Sequence, residues 1–177
     1  LTYFRQISGQ WTKEIVWDNS FSVWTQDMAL DANDSPHILL VQDNSIYHSF
    51  KNGSNWTINT IPLPYESGEI SVKMDMYGNP QFIIPANVGL HYGYRENNTW
   101  KMQAVGGASG YPGHDNDWAL VNGQYPCIAY YDQVLYSLRF DAQDTSSGGL
   151  RVSNSGPVEM NENAIFKASP IKGCNQR

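Results

Sequence analysis

Three short segments carry residue types that suit a polar ligand. They are Trp24-Thr25 with Asp27, Gly68-Glu69 with Ser71, and His114-Asp115 with Asp117. Each falls at the same position of a recurring sequence pattern, so the structure that the pattern builds would gather them. An indole face suits the C–H side of a sugar ring, and carboxylates suit its hydroxyls. Trp24, Asp27, Glu69, His114, Asp115 and Asp117 are therefore the candidate ligand-binding residues. Glycoside cleavage would need two carboxyl groups roughly 5–10 Å apart, and Glu69 with Asp115 or Asp117 is the available pair. Nothing in the sequence marks either as a raised-pKa acid, and a polar rim without a ligand is the competing reading. No catalytic residue is assigned. His114-Asp-Asn-Asp117 offers nitrogen and oxygen donors but lacks the ligand spacing of a calcium loop. Gly106-Gly107 precedes no helical pattern, so a dinucleotide cradle fails in context. No metal and no cofactor is expected.

The elements that must position these residues follow from the repeat. Asp31-Ala-Asn-Asp-Ser-Pro36-His-Ile38 matches Asp75-Met-Tyr-Gly-Asn-Pro80-Gln-Phe82, with a degenerate copy at Val121–Ile128. Pro36, Pro80 and Pro126 recur at intervals of 44 and 46 residues. Tyr3, Tyr47, Tyr92 and Tyr136 recur at 44, 45 and 44, and Trp11, Trp56 and Trp100 at 45 and 44. Within each unit, apolar and polar residues alternate with period two, the mark of strands. Val, Ile, Tyr, Trp and Thr suit such half-buried pleated surfaces. The first full unit is predicted to hold strands Gln26–Ala32, His37–Gln42, Ser45–Lys51 and Asn55–Leu63. The second holds Ile70–Met76, Gln81–Pro85, Leu90–Arg95 and Thr99–Val105. A loop is expected over Gly106–Asp117, then strands Trp118–Val121, Tyr125–Tyr131 and Val134–Phe140, with a remnant at Leu150–Ser153. Residues 1–18 read as two outer strands of another unit. The recurring tyrosines and tryptophans are expected to pack between neighbouring sheets. His48 and His91 are read as near-equivalent, and Arg5, Arg95 and Arg139 as solvated.

A period of 40–50 residues with four strands per unit is the signature of propeller blades. The pattern D-x-x-[D/G]-x-P-x-[I/F], followed by the tyrosine and tryptophan positions, resembles the repeats of β-propeller proteins of the sialidase-like and propeller-lectin type, over about residues 1–153. The resemblance implies an all-β fold of about four blades, each a four-stranded antiparallel sheet, forming one domain over 1–177. Residues 1–18 would be the outer strands of a split blade, 23–63 and 70–105 full blades, and 117–153 a degenerate blade. Residues 160–177 would supply the closing strand, with Ala164–Ser169 as its candidate. The alternative is part of a larger ring. The sequence departs from sialidases in lacking an S-x-D-x-G-x-x-W box, since Ser71-Val-Lys-Met-Asp75 has the wrong spacing, and in having no evident arginine cluster. The resemblance places ligands at the mouth of the channel.

The 177 residues carry a net charge of −6 and 41 % apolar residues. That charge argues against nucleic acid and anionic membrane surfaces as partners. No apolar run approaches the ~20 residues of a membrane span, and no signal peptide is visible. Leu1 falls in mid-repeat, which reads as a processed product or a piece of a longer chain. Cys127 and Cys174 are expected to form a disulfide, two buried thiols being the alternative. Asn33, Asn52, Asn55 and Asn97 each open an N-x-[S/T] sequon, and all four fall in predicted turns able to carry glycans. A secreted, extracellular location is expected. The function expected is a non-catalytic extracellular binding domain that recognises a glycan or a protein surface. One alternative is a structural module of a larger extracellular assembly, self-associating where the ring is incomplete. A second is a glycoside hydrolase-like enzyme.

Overall fold

The computed structural model describes residues 1–18, 23–63, 67–87, 89–105, 112–132, 137–143 and 150–152, with only the backbone course for 112–115, 131–132, 137–143 and 150–152. These residues form fourteen strands and no helix. A hairpin pairs β1 (Thr2–Ile7) with β2 (Gln10–Ile15). Three four-stranded antiparallel sheets follow, each a meander in chain order. Sheet I holds β3 (Thr25–Leu30), β4 (Pro36–Gln42), β5 (Ser45–Asn52) and β6 (Asn55–Pro62). Sheet II holds β7 (Ser71–Met74), β8 (Pro80–Ala86), β9 (Gly89–Glu96) and β10 (Thr99–Val105). Sheet III holds β11 (Pro112–Val121), β12 (Tyr125–Asp132), β13 (Ser137–Gln143) and β14 (Leu150–Val152). This all-β series of repeated sheets is compatible with propeller-like blades.

The repeat motif is explained by one turn. Asp31 Oδ1 accepts the backbone N–H groups of Asn33 and Ser35, both at 2.8 Å, while its own N–H donates to the Ser35 carbonyl. Asp75 does the same with Tyr77 and Asn79 at 2.9 and 2.7 Å. A carboxylate here ties down the donors that the tight turn leaves without strand partners. The fourth residue must enter the left-handed region, and Asp34 (φ 57°) and Gly78 (φ 80°) both do. Proline then opens β4 and β8, at the first residue of a strand, where a missing donor is tolerated. The degenerate third copy has Val121 in place of the aspartate. Its turn is made instead by Asn122 (φ 52°) and Gly123 (φ 66°).

Consecutive sheets bury their faces on one another. Leu39, Val41, Ile46 and Ile61 of sheet I pack with Val72, Phe82 and Ile84 of sheet II. On the other side of sheet II, Ile83, Leu90 and Tyr92 pack with Trp118, Ile128 and Tyr130 of sheet III. Period-two alternation thus splits β8: Phe82 and Ile84 face back to sheet I, Ile83 faces on to sheet III. Each such fully buried aliphatic or aromatic side chain contributes about 1.5–3 kcal/mol. Gly93 makes room for this packing, because a Cβ there would lie 2.1 Å from the Phe82 ring. The corresponding pair in sheet I is Ile38 and Ser49, 44 residues earlier.

Several sequence readings change. The tyrosine spacing marks equivalent positions at Tyr3 and Tyr92 but not at Tyr47. Tyr3 packs on Trp56 of the following sheet and Tyr92 on Trp118 of the following sheet, but Tyr47 packs back on Trp17. A shift of one residue reverses the face, and His48 holds the place that Tyr3 and Tyr92 hold. His91 consequently matches Tyr47 and not His48. Trp56 and Trp100 do pack on the preceding unit, at Tyr3 and His48. Trp11, at the matching register, is 70 % exposed instead of buried. Arg95 lies over the Trp100 ring and is only half-exposed, as Lys51 lies over Trp56. Residues 112–117, expected in a loop, belong to β11, whose register with β12 shifts between Pro112 and Asn116. That irregularity lets a strand absorb the polar run His114–Asp117. Tyr136, Cys174 and the closing-strand candidate 160–177 lie outside the described residues.

Candidate ligand-binding mouth

The inner strands β3, β7 and β11 are stitched in chain order by side chains. Asp27 Oδ2 accepts the Val72 backbone N–H at 2.7 Å, joining β3 to β7. The Trp118 indole N–H donates to Ser71 Oγ at 3.0 Å, joining β7 to β11. Lys73 adds a cation over the Trp118 ring at 5.5 Å. These bonds place the starts of the three strands at one end of the sheets.

Trp24 and Gly68 are equivalent at that end. The Trp24 N–H donates to the Val41 carbonyl at 3.2 Å and the Gly68 N–H to the Pro85 carbonyl at 2.7 Å, extending each first strand pair by one rung. At Gly68 a Cβ would lie 3.0 Å from the Pro85 ring. Sheet I has Val41 where sheet II has Pro85, and there a full indole is accommodated. Trp24 is 66 % exposed and makes no ring contact among the described residues. Glu69, next to Gly68, is exposed, and Asp117 is exposed on β11. His114 and Asp115 lie on the β11 backbone ahead of Asp117, and their side chains lie outside what is described.

Asp27 differs from the other candidates. Its Oδ1 accepts its own neighbour's N–H at Met28, 2.8 Å, and Oδ2 is held by Val72. Both carboxylate oxygens thus serve the strand junction. Asp117 repeats half of this, its Oδ1 accepting the Trp118 N–H at 2.7 Å. Trp24, Glu69 and Asp117 are therefore freer than Asp27 to meet a ligand. Among residues whose side chains are described, no group of three or more histidines, cysteines or carboxylates could hold a metal ion.

A concavity of about 720 Å³ opens between β6 and β10 on the outer edges of sheets I and II, lined by Thr60, His91, Thr99, Trp100 and Met102. Its residues come from three strands and share no motif, so the sequence gives no sign of it. The Trp100 ring is already engaged by Arg95, Phe82 and His48, and offers no open aromatic face of the kind Trp24 has.

Two buried polar networks occupy equivalent places in sheets I and II. In sheet I, His37 Nδ1 and His48 Nε2 are 2.9 Å apart, and His37 Nε2 is 3.9 Å from Asp31 Oδ2. In sheet II, Tyr92 Oη donates to Gln81 Oε1 at 2.6 Å, and Gln81 Nε2 reaches Asp75 Oδ2 at 3.5 Å. The turn aspartate anchors both. One of His37 Nδ1 and His48 Nε2 donates to the other. His48 Nδ1 has no hydrogen-bond partner among the described residues. Burial pushes His48 down to about 3, with the nearby His37 and Arg95 adding to the effect. Burial also lowers His37 and raises Tyr92 well above the usual phenol range. These groups hold the sheets together from inside and do not reach the mouth.

Comparison with protein-family models and with curated proteins returns no match for the chain.

Proposed function

We propose that the chain is a propeller-type extracellular binding domain that recognises a glycan through the mouth formed by the starts of its inner strands, without chemistry. The observation that carries this reading is Trp24, whose indole is 66 % exposed at the end of a strand pair held by backbone bonds. An exposed indole on a rigid strand end is a platform for the apolar face of a sugar ring. Glu69, two residues ahead of β7, and Asp117 on β11 supply acceptors for hydroxyls, and His114 and Asp115 fall on the same strand as Asp117. Asp27 is assigned a positioning role, because both its oxygens already hold backbone donors. The four sequons support an extracellular setting. Asn33, Asn52, Asn55 and Asn97 are all exposed, and all lie at turns on the opposite end of the sheets from Trp24.

The test is glycan-array binding by the native chain, followed by titration of the strongest hit. Trp24→Ala is expected to weaken binding at least about tenfold, from loss of the stacking surface, with an unchanged unfolding midpoint. Glu69→Gln is expected to weaken it less. Hydrolysis of the bound glycan, abolished by Glu69→Gln, would replace the binding reading with the hydrolase one.

A further inference from the structure

Glu14 completes a cluster between the β1–β2 hairpin and sheet I. Its Oε2 accepts from Lys51 Nζ at 2.6 Å and from the Trp56 indole N–H at 3.2 Å. Lys51 lies over the Trp56 ring, and that ring meets Tyr3 edge to face. Glu14 stands directly opposite Tyr3 in the ladder of the hairpin. The hydrogen bond from Lys51 is the largest influence holding its carboxyl below the usual range, so it is charged at neutral pH.

The same constellation recurs between sheets I and II with one member changed. Arg95 lies over the Trp100 ring, and that ring meets His48 edge to face. Opposite His48 in the β5–β6 ladder stands Asn59, in the place of Glu14. The hydrogen bonding shows the consequence. Arg95 Nε and Trp100 Nε1 are buried N–H donors without a partner among the described residues, and His48 Nδ1 is without one too. Ser49 Oγ is the fourth such atom there, and alternation along β5 puts it on the opposite face from His48. Folded proteins leave few buried polar atoms unpaired, so three around one place call for an acceptor. Solution reaches it: Asn59 is half-buried, Thr60 is exposed, and the concavity between β6 and β10 borders Trp100. The Glu14 side chain, one unit earlier, is likewise 25 % exposed.

We propose that a small carboxylate from solution binds between sheets I and II, in the place that the Glu14 carboxylate holds one unit earlier. One of its oxygens accepts the Trp100 indole N–H, as Glu14 Oε2 accepts that of Trp56. Arg95 supplies the positive charge that Lys51 supplies there, and a carboxylate suits a guanidinium better than a neutral acceptor does. Asn59 brings no charge of its own, and in the structure its amide accepts neither donor. The rival is an Asn59 side chain that turns its carbonyl onto the Trp100 N–H in solution. The site lies among the outer strands β5, β6, β9 and β10 and is independent of the ligand at the mouth.

The test exchanges sodium chloride for sodium acetate at neutral pH and constant ionic strength, using the full chain. Urea unfolding gives one readout, and the Trp100 indole N–H resonance, assigned with Trp100→Phe, gives the other. In the native chain, acetate at about 0.1 M is expected to raise the folded-to-unfolded ratio about fivefold or more over chloride. The Trp100 indole proton is expected to shift saturably with acetate. Asn59→Glu supplies the carboxylate covalently and is expected to lose the acetate response in both readouts. A native chain that does not respond to acetate, as the Asn59 rival requires, overturns the proposal. So does a response that Asn59→Glu keeps in full. Should Asn59→Glu fail to fold, Arg95→Met takes its place: loss of the acetate shift at Trp100 is expected, and its retention overturns the site.

Discussion

The carboxylate of Asp27 and the backbone N–H of Val72 lie 2.7 Å apart across two different sheets. Backbone pairing within a meander cannot join one sheet to the next, so this bond performs a task that the ladders leave undone. It fixes the sliding position of β3 against β7 and hence the alignment of Trp24 with Glu69 at the strand ends. Asp27→Ala removes the acceptor and leaves the Val72 donor in a half-buried junction. A hydrogen bond to a charged group contributes about 1.5–3 kcal/mol, so the variant should lose about 2 kcal/mol of unfolding free energy. Urea denaturation checks this. A loss below about 0.5 kcal/mol would mean that apolar packing alone sets the alignment.

The equivalence of His37–His48 with Gln81–Tyr92 predicts a transplant. His48 titrates near 6.5 when unfolded and about 3 when folded, and His37 is lowered too, both chiefly by burial. The unfolded chain therefore binds protons in that window that the folded chain refuses. Stability then falls as pH drops from 6.5 toward 3, by about 1.4 kcal/mol per pH unit for one such proton. Asp31 is itself lowered, first by the Ser35 backbone N–H. Its contribution is lost only below its ordinary value of 3.8, so the histidines dominate above pH 4. The double variant His37→Gln/His48→Tyr copies the pair from sheet II. It should fold and lose the share of the slope between pH 6.5 and 4 that His37 and His48 carry, keeping that of His91, which burial also lowers, as read from denaturant midpoints across pH. A slope equal to that of the native chain would place the titrating groups elsewhere.

These two features show what the sequence made legible. The turn aspartates Asp31 and Asp75 and their prolines are local: a carboxylate holding two N–H groups within four residues needs no distant partner, so the motif reads directly as a turn. Strand alternation was equally plain, and the expected strands of sheet II match β7–β10 within two residues at most ends. Phase between sheets was not legible from tyrosine spacing, because Tyr47 sits one residue out of step and one residue reverses a strand's face. The polar networks were hidden for a related reason. Histidine pairs in one sheet and a glutamine–tyrosine pair in the next do the same work with different side chains. Trp24 and Gly68-Glu69 stand at matching positions ahead of β3 and β7, as the repeat spacing has them. Asp27 looked like a ligand group by type, and only the structure shows its oxygens turned to backbone donors.

The sequons give the last prediction, because antiparallel meanders have two distinct ends. The chain enters β3 beside Trp24, reaches the Asp31 turn that holds Asn33, returns along β4, and leaves β5 at the turn flanked by Asn52 and Asn55. Sheet II places Asn97 at the matching turn between β9 and β10. All four asparagines are exposed, and Asn97 adopts a left-handed backbone (φ 49°) that suits a turn tip. Glycans on these residues would cover one end of the sheets and leave the mouth clear. Produced through a secretory pathway that attaches N-glycans, the chain is expected to carry them at one or more of these sites. Ligand affinity should then change less than about twofold on enzymatic deglycosylation. Glycopeptide mapping with paired binding titrations reads both quantities. Binding that improves about tenfold or more after deglycosylation would place the recognition surface at the sequon end, and Trp24 would lose its assignment.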